Sequence, residues 1–149
     1  MQFTPYLNFD GNCAEAFAFY AKLLKGTITY QGTFGEMPPS SDTPPLPEAA
    51  KNRIMHANLQ VGGQQLMGSD CLPTAPGQDP ATCGGYQKPQ GMRVCIDVTD
   101  EAEGRRVFDG LAQGGMVAMP FQKTFFSPGF GMLIDRFGTP WMVNVPAQA

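Results

Sequence analysis

The chain has 149 residues, an apolar fraction of 42% and a net charge of −3, so it is long enough for one domain with a hydrophobic core and too apolar for a disordered chain. Lys and Arg form no cluster, and no apolar stretch approaches the length of about 20 residues that a membrane helix needs, so neither nucleic acid nor a membrane is expected as a partner. Residues 1–11 show no signal-peptide pattern, and a cytoplasmic location is therefore expected.

The first half of the chain predicts one helix among four strands. Apolar periodicity and turn signals predict a strand over 3–9, a helix over 13–24, and strands over 27–33, 53–61 and 64–70. Asn12 is the expected N-cap of the helix, with Glu15 in capping-box position. Residues 34–50 contain five prolines and predict a loop, which is either a surface excursion or a lid over a cleft, and residues 71–90 predict a second loop.

The second half of the chain repeats this order. It predicts a strand over 92–98, a helix capped by Asp100, a strand within 116–126 broken at Pro120, and a hairpin of 130–135 with 141–145. The order β-α-β-β-β therefore occurs twice, in modules of about 1–70 and 91–146. This repeat predicts a single α+β domain over residues 1–149, with a helix on one face of each sheet and the other faces free to line a shared cleft.

The strand predicted over 53–61 carries polar side chains on the face opposite its apolar residues. His56, Asn58 and Gln60 share this face because side chains alternate along a strand. Histidine ionises near neutral pH, so His56 is a candidate acid or base. The alternative is a hydrogen-bonded histidine that fixes the sheet or lies at a dimer contact.

Other candidate residues lie on neighbouring strands. Arg93 and Asp97 are expected on the face away from the apolar side of their strand. Arg93 there either binds an anionic ligand or pairs with a carboxylate. Tyr6, Met67 and Met142 are candidates for an apolar cavity wall, and the methionines are otherwise core filling.

Some conspicuous residues have an expected structural role. Asp70 ends a strand and Asp135 precedes a turn, so both are expected to be turn residues rather than catalysts. Trp141 is expected to pack beneath a helix. Phe125 and Phe126 either close over a ligand or pack in a dimer interface.

The four cysteines show no Cys-x-x-Cys spacing, so a structural zinc site is not expected. They are Cys13, Cys71, Cys83 and Cys95. Free thiols are expected in a cytoplasmic protein, and Cys71 with Cys83, which flank one loop, is the pair to test for a disulfide.

Four segments carry a resemblance to a known family. They are PYLNFDGNCAEAFAFY (5–20), IMHANLQVGGQQLMGSD (54–70), LAQGGMVAMP (111–120) and FGMLIDRFGTPWMVN (130–144). In this order they resemble the PhnB-like branch of the vicinal oxygen chelate superfamily, which includes glyoxalase I, extradiol dioxygenases, and bleomycin- and fosfomycin-resistance proteins. The resemblance implies paired βαβββ modules with cupped mixed sheets around a cavity, commonly in a homodimer.

The resemblance also implies a divalent metal held by two side chains from each module, usually His and Glu, which acts as a Lewis acid on a substrate with adjacent oxygens. The matching positions fall at Thr4 or Pro5, at or near Met67, at Arg93 or Met92, and at Met142. None of them supplies His or Glu, and Thr, Met and Arg do not suit a hard divalent ion. These positions therefore do not support a metal, and no cofactor is expected.

These features predict a glyoxalase- and bleomycin-resistance-like protein of unassigned specificity that binds a small molecule in the cupped cavity without the usual metal site. The expected ligand-binding residues are Tyr6, His56, Asn58, Met67, Arg93 and Met142, with His56 also the candidate catalytic residue. One alternative is a metal-assisted lyase or isomerase of the glyoxalase type with His56 as base or ligand, and another is a dimerisation domain with a filled cavity. The sequence has no GxSxG, GxGxxG or P-loop motif and no Gly-rich methyl-donor site after a parallel strand, so nucleotide cofactors and methyl transfer are not expected.

Overall fold

The computed structural model describes residues 1–38 and 45–147 and divides into two compact units, Met1–Gln87 and Lys88–Ala149. Each unit contains one four-stranded mixed sheet and a helix packed on it. The predicted α+β class and the two βαβββ repeats are confirmed. No helix in the described part of the chain is long and apolar enough to span a membrane.

The first unit follows the predicted order of elements. They are β1, Tyr6–Phe9; α1, Cys13–Leu23; β2, Thr27–Thr33; β3, Ile54–Val61; and β4, Gln64–Asp70. The strand order is β1-β4-β3-β2, with β1 parallel to β4 and the other neighbours antiparallel.

The described parts of the two long loops contain short helical turns that the sequence analysis does not predict. The loop predicted over 34–50 contains 3-10 turns at Phe34–Glu36 and Glu48–Ala50, and the loop over 71–90 contains a short helix, α2, Pro80–Cys83. Residues 39–44 of the first loop lie outside the described residues, so its role as a lid stays a prediction.

Helix α1 covers one face of the first sheet, because its apolar residues recur at helical spacing. Phe17 and Tyr20 of α1 and Ala57 and Leu59 of β3 are fully buried. Gly68 of β4 permits the close approach of the helix, since a Cβ atom there would lie 2.8 Å from the Phe17 ring. The opposite face of the sheet is left open for a site.

The N-terminus of α1 is capped from a distant strand. The sequence predicts Asn12 as the cap, but Asn12 makes no side-chain cap hydrogen bond. Instead, Oδ1 of Asp70 accepts hydrogen bonds from the backbone N–H groups of Gly11 at 2.9 Å and Cys13 at 3.0 Å. Oδ2 of Asp70 accepts a third, from Ile54, at 2.8 Å. The prediction for Asn12 is wrong because its backbone is not extended, as an N-cap requires, and a buried carboxylate satisfies these donors instead.

The second unit has the same topology. Its elements are β5, Val94–Asp97; α3, Glu101–Ala112; β6, Met116–Gln122; β7, Gly129–Ile134; and β8, Pro140–Val145. The strand order is β5-β8-β7-β6, with β5 parallel to β8. Here the helix is capped locally as predicted, because the side chain of Asp100 accepts a hydrogen bond from the N–H of Glu103 at 2.9 Å.

A buried carboxylate also organises the turn between β7 and β8. Oδ1 of Asp135 accepts hydrogen bonds from the backbone N–H groups of Phe137 and Thr139, and Oδ2 accepts one from Nε1 of Trp141 at 2.8 Å. Trp141 is fully buried in this unit, as expected. Asp135 is therefore a structural turn residue, as the sequence predicts.

The predicted strand limits fail at the sheet edges. β1 begins at Tyr6 rather than at residue 3, and β5 covers Val94–Asp97 rather than 92–98, because each of these edge strands pairs with one neighbour over only four residues. β6 continues through Pro120 instead of breaking there. β6 is also an edge strand, and register shifts on both sides of Met119 accommodate the missing N–H of the proline.

Candidate functional site

The open face of the first sheet, opposite α1, carries a row of four side chains, one from each strand. The register aligns Tyr6 with Met67, Met67 with Asn58, and Asn58 with Tyr30. Registered neighbours on one face of a sheet lie within contact distance. The structure thus brings three predicted site residues together and adds Tyr30, which was not predicted.

His56 lies beside this row between two tyrosine rings. The hydroxyl of Tyr6 lies 3.2 Å from Nδ1 of His56, and the two rings stack with centroids 5.8 Å apart and 25° between their planes. The Tyr30 ring lies 5.9 Å from the imidazole at 36°. This contact orients the ring. When Nδ1 accepts the hydroxyl hydrogen, the ring's own N–H is at Nε2, and when Nδ1 carries the proton, the hydroxyl oxygen accepts it. Tyr6, Tyr30, His56 and Asn58 are named the His56 cluster below.

The position of Tyr30 depends on a glycine. Gly32 pairs with His56 in the register of β2 and β3, and a Cβ atom at Gly32 would lie 2.6 Å from the Tyr30 hydroxyl. The absence of a side chain at Gly32 therefore leaves the space that the tyrosine occupies. A register shift between Ile28 and Tyr30 further sets which way the tyrosine points.

Asn58 supplies an unused acceptor inside the cluster. Its Oδ1 is shielded from solvent and has no hydrogen-bond partner among the described residues. A buried amide oxygen without a partner is costly, by about 1–3 kcal/mol. A ligand that donates an N–H or O–H to this oxygen would recover that energy.

A cleft in the second unit holds the remaining predicted site residues. It has a volume of about 590 Å³ and includes Arg93 and Met142 in its lining, together with Met92, Ile134 and Pro140. This volume lies within the range typical of small-molecule sites. Arg93 is exposed and presents its guanidinium beside apolar walls.

The open face of the second sheet also carries a polar pair. Nδ2 of Asn144 donates a hydrogen bond to Oδ1 of Asp97 at 2.7 Å. Partial burial, and then the charge of Asp97, raise the pKa of the Cys95 thiol. Asp97 thus points to the open face, as predicted.

The charge of Asp70 affects the thiols of Cys13 and Cys71 in the first unit. Burial, and then the charge of Asp70, raise the pKa of the Cys13 thiol. Partial burial and the charges of Asp10 and Asp70 raise the pKa of Cys71, and Arg53 opposes this effect. Cys71 carries a free thiol, as do Cys13 and Cys95, while the side chain of Cys83 lies outside the described part of the chain.

Comparisons with known proteins agree over nearly the whole chain. A family model described as 3-demethylubiquinone-9 3-methyltransferase matches residues 1–144. Protein YjdN of Escherichia coli strain K12 is 37% identical over 153 residues, which cover 99% of this chain and 97% of YjdN. In the solved structure of protein PA1353 from Pseudomonas aeruginosa, 40% identity and a TM-score of 0.80 extend over 99% of both chains.

Two further solved structures are similar to this chain in fold. The PhnB protein of Bacillus cereus is 25% identical, with a TM-score of 0.71 over 97% of this chain and 99% of that chain. A glyoxalase-related enzyme of Fulvimarina pelagi shares the fold at 15% identity, with a TM-score of 0.58 over 97% of this chain and 88% of that chain. The chain belongs to the PhnB-like family, and it shares the fold of a glyoxalase-related enzyme.

The resemblance to the vicinal oxygen chelate superfamily implies a divalent metal, which needs a cluster of suitable donor groups. Within residues 1–38 and 45–147, no three His, Cys, Asp or Glu side chains come together in a way that could hold a metal ion. The groups around His56 are the phenols of Tyr6 and Tyr30 and the amide of Asn58. They do not fit a divalent cation, since hard cations prefer carboxylate oxygen, borderline cations such as Zn²⁺ prefer imidazole nitrogen, and His56 is the single histidine of the sequence. Among the residues that the structure describes, none is assigned as a ligand of a divalent metal.

The predicted site residues of this PhnB-like chain thus fall into two groups. The first sheet brings together Tyr6, His56, Asn58 and Met67, whereas Arg93 and Met142 line the cleft of the second unit. A cleft shared by both sheets stays a prediction. Tyr30 and Gly32 were missed, although their spacing of two residues on a predicted strand was a signal that both lie on one face of it.

Proposed function

We propose that this PhnB-like protein binds a small organic molecule over the His56 cluster, without the usual metal site of its superfamily. The observation that carries the proposal is the partnerless Oδ1 of Asn58, buried beside His56 on an otherwise open sheet face. The rings of Tyr6 and Tyr30 flank the neighbouring His56. A buried acceptor without a donor calls for an explanation, and a ligand bound beside these rings would supply one.

The chemistry of the cluster indicates the class of ligand. Tyr6 and Tyr30 are 47% and 50% exposed, so each offers an aromatic face to a bound ring. Asn58 accepts a hydrogen bond, and Met67 beside it supplies an adaptable apolar contact. The expected ligand is therefore planar and carries an N–H or O–H donor.

The cleft of the second unit adds a second element to the proposal. Arg93 can bind an anionic group of a ligand through its planar set of donors, while Met142 contacts an apolar part. Arg93→Met keeps the apolar stem and removes the charge. It is expected to abolish binding of organic anions to this cleft and to leave binding at the His56 cluster unchanged. A homodimer is proposed from the superfamily resemblance, and sedimentation velocity tests it. The cytoplasmic location expected from the sequence stays a proposal.

The first test is a ligand screen by NMR on the full chain. Planar phenols and nitrogen heterocycles are expected to shift the amide signals of β3 and of Tyr6. Asn58→Leu removes the acceptor at similar size and is expected to weaken the dissociation constant about tenfold, since a hydrogen bond contributes about 1 kcal/mol. Asn8→Leu, on an exposed position of β1, is the matched control and is expected to leave the affinity unchanged. The proposal fails if no compound shifts these signals, or if both variants bind equally well.

The second candidate function is a lyase or isomerase of the glyoxalase type with His56 as base. The observation in its favour is the 3.2 Å contact of Tyr6 with Nδ1, which orients the imidazole. If the proton between them resides on Nδ1, Nε2 is free to accept a proton from a carbon beside a carbonyl group. Proton exchange of α-hydroxy ketones in deuterated water, followed by NMR, distinguishes this function from binding. Exchange that is lost in His56→Gln but kept in Asn8→Leu supports it, and equal exchange in both variants contradicts it.

The matching family is described as a methyltransferase, but methyl transfer is not proposed for this chain. A methyl donor needs a cradle of backbone N–H groups, usually a Gly-rich loop after a parallel strand. After β1 the chain continues as Asp10, Gly11 and Asn12, and these residues support the start of α1 through Asp70. The segment after β5 leads directly into the cap of α3.

A further inference from the structure

A row of sulfur atoms crosses the open face of the second sheet. The register aligns Cys95 of β5 with Met142 of β8, Met142 with Met132 of β7, and Met132 with Met119 of β6. Each of the four neighbouring strands thus contributes one sulfur-bearing side chain to the same line. These four residues are named the sulfur row.

The sulfur row lies on the face away from α3. Gly131 faces the helix, since a Cβ atom there would lie 2.6 Å from the ring of Phe108, and so its neighbour Met132 lies on the other face. The hydrogen bond of Asn144 with Asp97, one residue pair further along β5 and β8, joins side chains of the same face. The three methionines are half-buried, while the cysteine is exposed and carries a free thiol.

We propose that the sulfur row binds one soft monovalent cation, of the Cu(I) or Ag(I) type, through Met132, Met142 and Cys95. Neighbouring strands lie about 4.8 Å apart, so the three backbones span about 10 Å, a distance that flexible methionine side chains can bridge. Thioether and thiolate sulfur select soft cations over hard divalent ones. On binding, the S–H bond of the cysteine breaks, a sulfur–metal bond forms, and the proton passes to solvent.

One carboxylate on this face favours a cation, because Oδ1 of Asp97 lies 4.0 Å from Sγ of Cys95. The guanidinium of Arg93, which lines the same cleft as Met142, opposes it, so the sulfur ligands must supply the affinity. Leucines could fill the same half-buried positions without offering any ligand, and the sulfur atoms are therefore the specific feature to test. The sulfur row belongs to the second sheet and the His56 cluster to the first. A failure of the sulfur row to bind a cation would therefore leave the proposal for the His56 cluster intact.

The test uses the full chain with the methyl groups of its methionines labelled with carbon-13, titrated with Ag(I) in chloride-free buffer. The methyl signals of Met132 and Met142, assigned from Leu variants, are expected to shift together with the first equivalents bound. Met37 is exposed and belongs to the first unit, so its methyl signal is expected to stay in place. This readout is specific to methionine, so silver bound by other thiols of the chain does not mimic it.

Affinity is measured in parallel by competition with a chromophoric chelator. Met132→Leu and Met142→Leu conserve volume and are expected to fold, and each is expected to weaken Ag(I) binding at this site about tenfold or more. Cys95→Ser is expected to weaken it further, and Met37→Leu is the matched control without effect. The proposal is overturned if the two methyl signals do not move, if all nine methionines move together, or if the Leu variants bind as tightly as the parent chain. Any of these results would make the row an apolar surface only.

Discussion

Replacing Asp135 with Asn tests whether this carboxylate holds the β7–β8 turn. Its Oδ1 accepts hydrogen bonds from the N–H groups of Phe137 at 2.9 Å and Thr139 at 3.0 Å, and its Oδ2 accepts one from Trp141 at 2.8 Å. An Asn side chain keeps one acceptor oxygen but turns an NH₂ group toward the remaining donor. Asp135 is only 3% exposed, so water is not available to replace the lost acceptor.

The size of the effect follows from these contacts. A hydrogen bond to a charged group contributes about 1.5–3 kcal/mol, and a buried donor left unpaired costs about 1–3 kcal/mol. Asp135→Asn is therefore expected to lower the free energy of unfolding by about 3–5 kcal/mol, a large share of the roughly 5–15 kcal/mol typical of a folded protein. Urea denaturation followed by circular dichroism measures the loss, and fluorescence of Trp141, the only tryptophan, reports on the turn directly.

A double-mutant cycle isolates the contact with the indole. Trp141→Phe removes the donor that faces Oδ2, so adding Asn at position 135 in that background is expected to cost less than it does in the parent chain. The difference is expected to be about 1–2 kcal/mol, measured by circular dichroism for all four proteins. A cost of Asp135→Asn below about 0.5 kcal/mol, the size of an ordinary surface substitution, would refute the reasoning.

Three further predictions concern packing, capping and thiol chemistry. Gly68→Ala is expected to lower the free energy of unfolding by about 1–3 kcal/mol, because the new Cβ would lie 2.8 Å from the ring of Phe17; urea denaturation measures it. Asp100→Ala is expected to cost about 1 kcal/mol in the same assay, because it removes the side-chain cap of α3. Asp10→Asn is expected to speed the alkylation of Cys71 by iodoacetamide at mildly alkaline pH. Burial and then the charge of Asp10 raise the pKa of this thiol. Removing that charge lowers the pKa and increases the fraction of reactive thiolate. Mass spectrometry of the labelled peptide measures the alkylation rate.

Each of these predictions has a conservative control. Gly63→Ala adds a Cβ that meets nothing within 4 Å, so an equal loss at both glycines would contradict the packing argument. Asp100→Asn keeps the acceptor and is expected to retain most of the stability, and an effect as large as that of Ala would count against capping. Asp10→Glu keeps the charge and is expected to leave the alkylation rate nearly unchanged, whereas equal acceleration in both variants would show that charge is not the cause.

The types and order of the main elements follow from the sequence, because they depend on local periodicity. The helices at 13–24 and after Asp100 and the strands around His56 and Met142 were all predicted from the spacing of apolar residues. The ends of β1 and β5 were not predicted correctly. An edge strand has a single neighbour, and its length is the number of residues that pair with this neighbour. That length is a property of the assembled sheet.

The candidate site was predictable to the same degree. Alternation along β3 placed His56 and Asn58 on one face. The contact of Tyr30 with His56 required knowledge of a register shift in β2 and of the space above Gly32, neither of which a strand pattern contains. The missing partner of the Asn58 oxygen is likewise visible only once all neighbouring strands are in place.

The two main helices begin in different ways, and this difference sets the order in which their first turns can form. The cap of α3 comes from Asp100, directly before the helix, so it is available as soon as that short segment is helical. The acceptor for α1 is Asp70, which is 57 residues from Cys13 in the chain and also binds Ile54. Bringing such distant residues together requires loop closure before any contact forms, which makes folding slow and cooperative. The start of α1 therefore acquires its hydrogen bonds to Asp70 only when β4 lies beside it, so the cap of this helix, unlike that of α3, depends on assembly of the first sheet.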